Sequence, residues 1–96
     1  MKVIFTDTAL GELGEIFEYL SSNYPTLVGP LEQRIEAVLR RLQQWPESAP
    51  KVTQRPDVRV APLIRFPYRV YYRIANEKIE IIHIRHTSRR PWEEEP

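Results

Sequence analysis

The stretch Arg69-Val70-Tyr71-Tyr72-Arg73-Ile74, then Ala75-Asn76-Glu77-Lys78, then Ile79-Glu80-Ile81-Ile82-His83-Ile84-Arg85-His86 decides the fold. Two runs rich in β-branched and aromatic residues flank four turn-compatible residues, which is the pattern of a β-hairpin. Alternation along the first run puts Val70, Tyr72 and Ile74 on one face and Arg69, Tyr71 and Arg73 on the other. The second run is apolar on both faces, Ile79 and Ile81 against Ile82 and Ile84, as a central strand requires.

Working back from the hairpin, Phe66-Pro67-Tyr68 forms a corner, and Val58-Arg59-Val60-Ala61-Pro62-Leu63-Ile64 reads as a further strand. Pro62 has no N–H to give a ladder, so this strand is expected at an edge or bulge. Residues 46–57, with Pro46, Pro50 and Pro56, read as a long loop. Before it, Val28, Leu31, Ile35, Val38, Leu42 and Trp45 recur at helical spacing, ending ahead of Pro46, with the first turn delayed or kinked at Gly29-Pro30. An earlier series, Leu10, Leu13, Phe17, Leu20 and Tyr24, widened by Ile16, predicts another amphipathic helix with Glu12, Glu15 and Glu18 on its solvent side. Gly11 and Gly14 each cost this helix about 1 kcal/mol relative to Ala, which packing has to offset, with a close approach expected at the glycines. Lys2-Val3-Ile4-Phe5-Thr6 is a short opening strand, and Thr6-Asp7-Thr8 supplies helix N-cap candidates. The expected architecture is a single α+β domain over residues 1–96. An N-terminal strand and a helical hairpin precede a three-stranded antiparallel meander, with both helices on one sheet face.

Composition narrows the chemistry. With 42% hydrophobic and 28% charged residues the chain has the balance of an ordinary globular domain. Cysteine is absent, which excludes disulfides, thiol catalysis and Cys-ligated zinc, and suits a reducing cytoplasmic setting. The apolar run Val3-Ile4-Phe5 is far too short for a signal-peptide core, and nothing later approaches the ~18 apolar residues of a spanning helix. The net charge of +1 conceals a division: residues 1–50 carry four bases against seven acids, and residues 51–92 ten bases against three. Eleven of the fourteen bases are Arg, whose planar fork suits phosphate and carboxylate partners.

The densest functional chemistry is Arg85-His86-Thr87-Ser88-Arg89-Arg90-Pro91-Trp92. An imidazole that exchanges a proton near neutral pH, beside guanidiniums able to hold a phosphate, is what an RNA cleavage site needs. The bland alternative makes His86 a structural residue fixing the turn after the strand, and His83 a strand residue. Three apart on a strand, the two histidines face opposite ways, so no metal site is expected, nor any cofactor. The Arg69/Tyr71/Arg73 face, with Arg59 or Arg65 nearby, has the composition of an interface hot spot, or else is solvated charge lying along the sheet.

The ordered set of features resembles the ParE branch of the ParE/RelE toxin superfamily, small toxins of bacterial toxin–antitoxin pairs. The resemblance runs from the opening strand through Gln44-Trp45-Pro46-Glu47, Val58-Arg59-Val60 and residues 66–73 to the closing His86-Thr87-Ser88-Arg89-Arg90-Pro91, a His-x-x-Arg-x-Pro ending. It implies one of two activities on the same fold. ParE-like members poison DNA gyrase without an established catalytic centre. RelE-like members cleave messenger RNA in the ribosome, and here that role would fall to His86, Arg85 and Arg89. The chain has Trp92 and no Tyr after the last strand, and an indole is neither a general acid nor a base, so the gyrase reading comes first and an enzyme is the less favoured outcome. A degenerate toxin that keeps only antitoxin binding is the third reading. The resemblance also implies a ParD-like antitoxin, expected across Arg59, Arg65, Arg69, Tyr71 and Arg73, while Arg85, His86, Arg89, Arg90 and Trp92 are expected to engage the target.

Overall fold

The computed structural model describes residues 1–88. In chain order the elements are β1 (Lys2–Phe5), α1 (Asp7–Asn23), a 3₁₀ turn (Pro25–Leu27), α2 (Val28–Gln44), β2 (Lys51–Val52), β3 (Arg55–Pro62), β4 (Tyr68–Ala75) and β5 (Lys78–His86). The fold is α+β, as expected, but the sheet has five strands in the order β1-β5-β4-β3-β2. β2 lies inside the 46–57 stretch expected to be loop, and β1 pairs parallel to β5, with Val3 opposite Ile79 and Phe5 opposite Ile81. β5 is therefore an interior strand between β1 and β4, and β4, the middle strand, pairs antiparallel with both β5 and β3. The β4–β5 turn places Asn76 and Glu77 at φ 53° and 59°, the positive-φ pair whose twist matches two flanking strands.

The helices cover one sheet face. Leu20 from α1 and Leu31, Ile35 and Leu42 from α2 pack with Val70, Tyr72, Ile79, Ile81 and Ile84 into the main core. Three sequence expectations change here. Ala9 is fully buried on α1 while Leu10 and Tyr24 are half exposed, and Trp45 at the end of α2 is 60% exposed. An added Cβ at Gly11 or Gly14 would meet nothing within 4 Å, so no close approach occurs at either glycine. Pro30 sits in the first turn of α2, where the N–H it lacks would have no helical partner in any case, and the helix runs unbroken through it.

The apparent two-faced hydrophobicity of β5 has a local cause. The register shifts between Tyr71 and Tyr72, so that Ile82 and His83 together oppose Tyr71. The bulge slips the alternation by one residue, and Ile79, Ile81 and Ile84 all point to the main core. Ile82 remains on the far face and joins Val52, Val58, Val60 and Tyr71 in a second, smaller core under β2 and β3. Among the described residues no helix is long and apolar enough to cross a membrane.

Candidate functional site

The end of β5 is where sequence expectation concentrated its chemistry, and the structure builds it from three elements. β1 stops at Phe5, and Thr6 turns the chain into α1: its N–H bonds Ile81 O at 3.0 Å, while its hydroxyl lies 3.0 Å from Ile81 O and accepts from Ala9 N–H as the helix N-cap. Beyond Ile82 the edge of β5 has lost its neighbouring strand. Glu12, one and a half turns into α1, fills the gap: its carboxylate accepts from Ile84 N–H at 3.0 Å and from His83 Nδ1 at 3.2 Å. With Nδ1 donating, His83 Nε2 is left as an acceptor and faces Arg85 Nη2 at 3.5 Å, while Arg85 Nε lies 3.9 Å from the same carboxylate. The strand register directs His83 and Arg85 to the far face, so both side chains bend over the open edge to reach a helix-side carboxylate.

This Glu12–His83–Arg85 cluster was not expected from the sequence, where Glu12 reads as one of three solvent-facing acids and His83 as a plain strand residue. The side chains of Glu12, His83 and Arg85 are only 20%, 16% and 10% exposed. Glu12→Ala removes the acceptor of two hydrogen bonds and the carboxylate beside Arg85, and is expected to destabilise the fold by about 1–3 kcal/mol, with Glu12→Gln, which keeps a carbonyl for Ile84 N–H, closer to the parent. Urea denaturation checks this, and a Glu12→Ala loss below about 0.5 kcal/mol, no more than an ordinary surface substitution, would rule it out.

The expected target-binding residues divide. Arg85 is tied to Glu12 as described. His86 is exposed, stands edge-on to Tyr68 at 5.4 Å between ring centroids, and accepts Ser88 N–H on Nδ1 at 3.0 Å. That bond uses the Nδ1 lone pair and holds the turn after the strand. Next to it, Thr87 N–H donates to Pro67 O at 2.7 Å. Arg89, Arg90 and Trp92 lie outside the described residues. Between this strand end and α1 runs a groove of about 540 Å³, walled by Ile16, Leu20, Tyr68 and Ile84 and rimmed by the exposed Tyr19 and Tyr24. Burial pushes the Tyr68 phenol above its ordinary value, so it stays protonated at neutral pH.

The expected antitoxin face also needs correction. Arg69, Tyr71 and Arg73 do share the far face of β4, but Tyr71 is 3% exposed beneath Val52, Val58 and Ile82. It therefore presents no ring to a partner. Arg73 is bound to Glu80 at 2.6 Å, which holds the guanidinium still more firmly in its charged form. Arg69 stands directly opposite Arg85 in the ladder. Arg59, opposite Tyr72, belongs to the helix-side face and donates to Ala49 O at 2.7 Å and Glu47 O at 3.1 Å. Arg65, at φ 76° in the β3–β4 turn, is exposed beside α2, away from the other three. Among the described residues no three His, Asp or Glu side chains gather in a way that could hold a metal ion.

The sequence profile of the ParE toxin of the type II toxin–antitoxin system parDE matches residues 3–91. A search of curated proteins finds no match. Among solved structures, a chain of the chromosomal ParDE TA system from P. aeruginosa is similar at 25% identity and a TM-score of 0.75, covering 90% of this chain and 95% of that one. The YoeB/ParE toxin from Agrobacterium tumefaciens shares the fold at 16% identity and a TM-score of 0.62, covering 90% and 98% of the two chains. So does the YoeB dimer from Staphylococcus aureus, at 15% identity and 0.59, covering 90% and 95%. With the profile spanning nearly the whole sequence, from the opening strand through the bulged β5 to the residues beyond it, the chain belongs to the ParE toxin family of type II toxin–antitoxin systems.

Proposed function

We propose that this toxin arrests growth by poisoning DNA gyrase and is silenced by a ParD-like antitoxin. The observation that carries the gyrase reading is the state of the proton-transfer groups at the end of β5. Hydrolytic cleavage of RNA needs an acid and a base within reach of one phosphate. His83 Nδ1 is occupied by Glu12, His86 Nδ1 by Ser88 N–H, the Tyr71 ring is buried, and the Tyr68 phenol is pushed up by burial. Adjacent on the strand, Arg85 and His86 start from opposite faces, opposite Arg69 and Tyr68 respectively, so they do not converge as a pair. A poison that traps the cleaved enzyme–DNA complex needs none of these groups as a catalyst; it needs a surface.

One observation favours the ribosome-dependent mRNA interferase as a second reading. Arg69 and Arg85 start from directly opposed positions on the far face of the sheet, so two bases, the second oriented by Glu12, are available where an RNA backbone would lie.

The two readings separate in one assay. The purified chain, free of antitoxin, is added to gyrase with supercoiled plasmid and ATP. Linear DNA is expected to accumulate as enzyme-cleaved product while supercoiling falls. Unchanged supercoiling and no linear DNA at a large molar excess of folded protein defeats the gyrase proposal, and messenger RNA cut in a ribosome-containing reaction would put the interferase in its place.

A further inference from the structure

The two ends of the sheet are finished differently. At one end β2 is only two residues long, Pro50 precedes it, and its neighbour β3 closes at Pro62, so little open ladder is left there. At the other end stands β1, Val3-Ile4-Phe5 after Lys2, with no proline and no bulge, and with β5 on one side only. The phase of its hydrogen bonds follows from one contact. Thr6 N–H bonds Ile81 O, and in a parallel ladder with Val3 opposite Ile79 this turns the N–H and C=O groups of Lys2, Ile4 and Thr6 toward β5. The N–H and C=O of Val3 and Phe5 therefore point outward, and among the described residues none of these four groups has a partner.

The strand that fits this edge is another copy of itself. Val3, Ile4 and Phe5 are only partly buried, and α1, which leaves Thr6, leads back over β5. Two β1 strands laid antiparallel, with Val3 opposite Phe5 of the second copy, pair every outward N–H with an outward C=O. The two-fold axis then passes through Ile4, which meets its own copy in a non-hydrogen-bonded pair, where side chains approach most closely. Lys2 stands opposite Thr6 of the second copy and next to its Asp7, so a base and an acid, both exposed, come together twice. A shift of two residues in either direction sets Phe5 against Met1 or Val3 against Asp7, outside the strand, and loses this match.

We propose that the antitoxin-free chain self-associates through β1 into a two-fold dimer in which one sheet runs through both copies. Self-complementarity carries it: the outward backbone groups, the apolar Ile4 and the Lys2/Asp7 charges all match under the same two-fold axis. Two short strands bury little surface, so the association is expected in the micromolar range. β5 and its copy run antiparallel, three strand spacings of about 4.8 Å apart, and the segments that follow them leave the sheet in opposite directions. The dimer is therefore bivalent toward a target. That bivalence rests on the reading in which residues 85–92 engage the target, whereas the dimer itself does not.

Sedimentation equilibrium of the purified chain without antitoxin, from about 1 to 200 µM, tests this, with circular dichroism and melting to show that each variant is folded. The parent is expected to pass from monomer to dimer across that range. Ile4→Glu sets two carboxylates against each other on the axis and is expected to weaken the dimer at least about tenfold, while Ile64→Glu, at an exposed position in the β3–β4 turn, leaves it within about twofold. Lys2→Glu, a surface change that guards against misfolding of the Ile4 variant, is expected to weaken the dimer by crowding Asp7 of the second copy, and Lys2→Glu/Asp7→Lys to recover it. A parent that stays monomeric to about 200 µM overturns the proposal. So does a dimer that Ile4→Glu and Lys2→Glu leave intact, one that Ile64→Glu weakens equally, or one that the charge exchange fails to recover.

Discussion

Ending the chain at Ser88 is expected to abolish growth arrest and to leave a folded protein that still binds antitoxin. Among the described residues the strand end is already held before the cut: β5 closes at His86, Thr87 N–H is held by Pro67 O, and Ser88 N–H is held by His86 Nδ1. The side chains that build both cores among the described residues all precede the cut. What is removed is Arg89-Arg90-Pro91-Trp92 and the acidic residues after it, and Arg and Trp are the side chains that most often dominate binding energy at interfaces. Loss of two or three such anchors is expected to cost on the order of 4 kcal/mol, or roughly a thousandfold in affinity for the target, enough to take a toxin out of its working range. The melting temperature is expected within about 4 °C of the parent, the shift of a change near 1 kcal/mol or less in a domain of this size. Growth after induction, linear DNA in the gyrase reaction and antitoxin affinity are read on the same truncated protein. Toxicity retained in full would show that the target contacts lie elsewhere on the domain.

What could be read from the sequence, and what could not, follows the range of each interaction. The hairpin and both helices were legible because their signals are local: period-two runs around Ala75-Asn76-Glu77-Lys78, and apolar spacings of three and four. The parallel pairing of β1 was not, since it joins residues 2–5 to residues 78–81 and leaves no mark on either run. β2, two residues long, falls below any periodic signal. The bulge at Ile82 and His83 misled in a specific way: one inserted residue makes a strand with a single core face look apolar on both. Tyr71 was placed on the correct face but thought exposed, because the small core that covers it comes from Val52 and Val58, in a stretch that looked like loop and strand margin. Glu12 shares its surroundings in the sequence with Glu15 and Glu18, and only a partner seventy-one residues away sets it apart. Arg59, read as a surface charge, instead holds the carbonyls of Glu47 and Ala49, and with Tyr72 fixes the segment between α2 and β2.

The anchor of that segment within the sheet, Tyr72, is where a highly damaging single substitution is expected. Tyr72 is fully buried in β4, its ring packed in the main core and its hydroxyl donating to Pro46 O at 2.8 Å. Replacing it with Ala deletes a large aromatic from a close-packed site and leaves a cavity, a change that costs about 3–5 kcal/mol in comparable cores. In a domain whose whole stability is expected near the lower part of the ~5–15 kcal/mol range, this lowers the melting temperature by roughly 15–30 °C. Tyr72→Phe separates ring from hydroxyl. It keeps the packing and costs only the bond to Pro46 O, about 1 kcal/mol. The same residue sets an alkaline limit. Burial raises the Tyr72 pKa above the ordinary 10.0, outweighing the neighbouring arginines. The unfolded chain therefore releases this proton first as pH rises, so the stability linked to the neutral phenol is full below pH 10.0 and is lost as pH climbs through the raised folded value. Tyr72→Phe should lose less stability than the parent between about pH 8 and pH 11, and the loss that remains is the part linked to Tyr68, shifted the same way. Denaturant midpoints at the two pH values for parent, Phe and Ala variants measure both effects. A Tyr72→Ala chain melting within about 5 °C of the parent would mean that the helices do not depend on this ring for their seat on the sheet, since a shift that small corresponds to only about 1 kcal/mol.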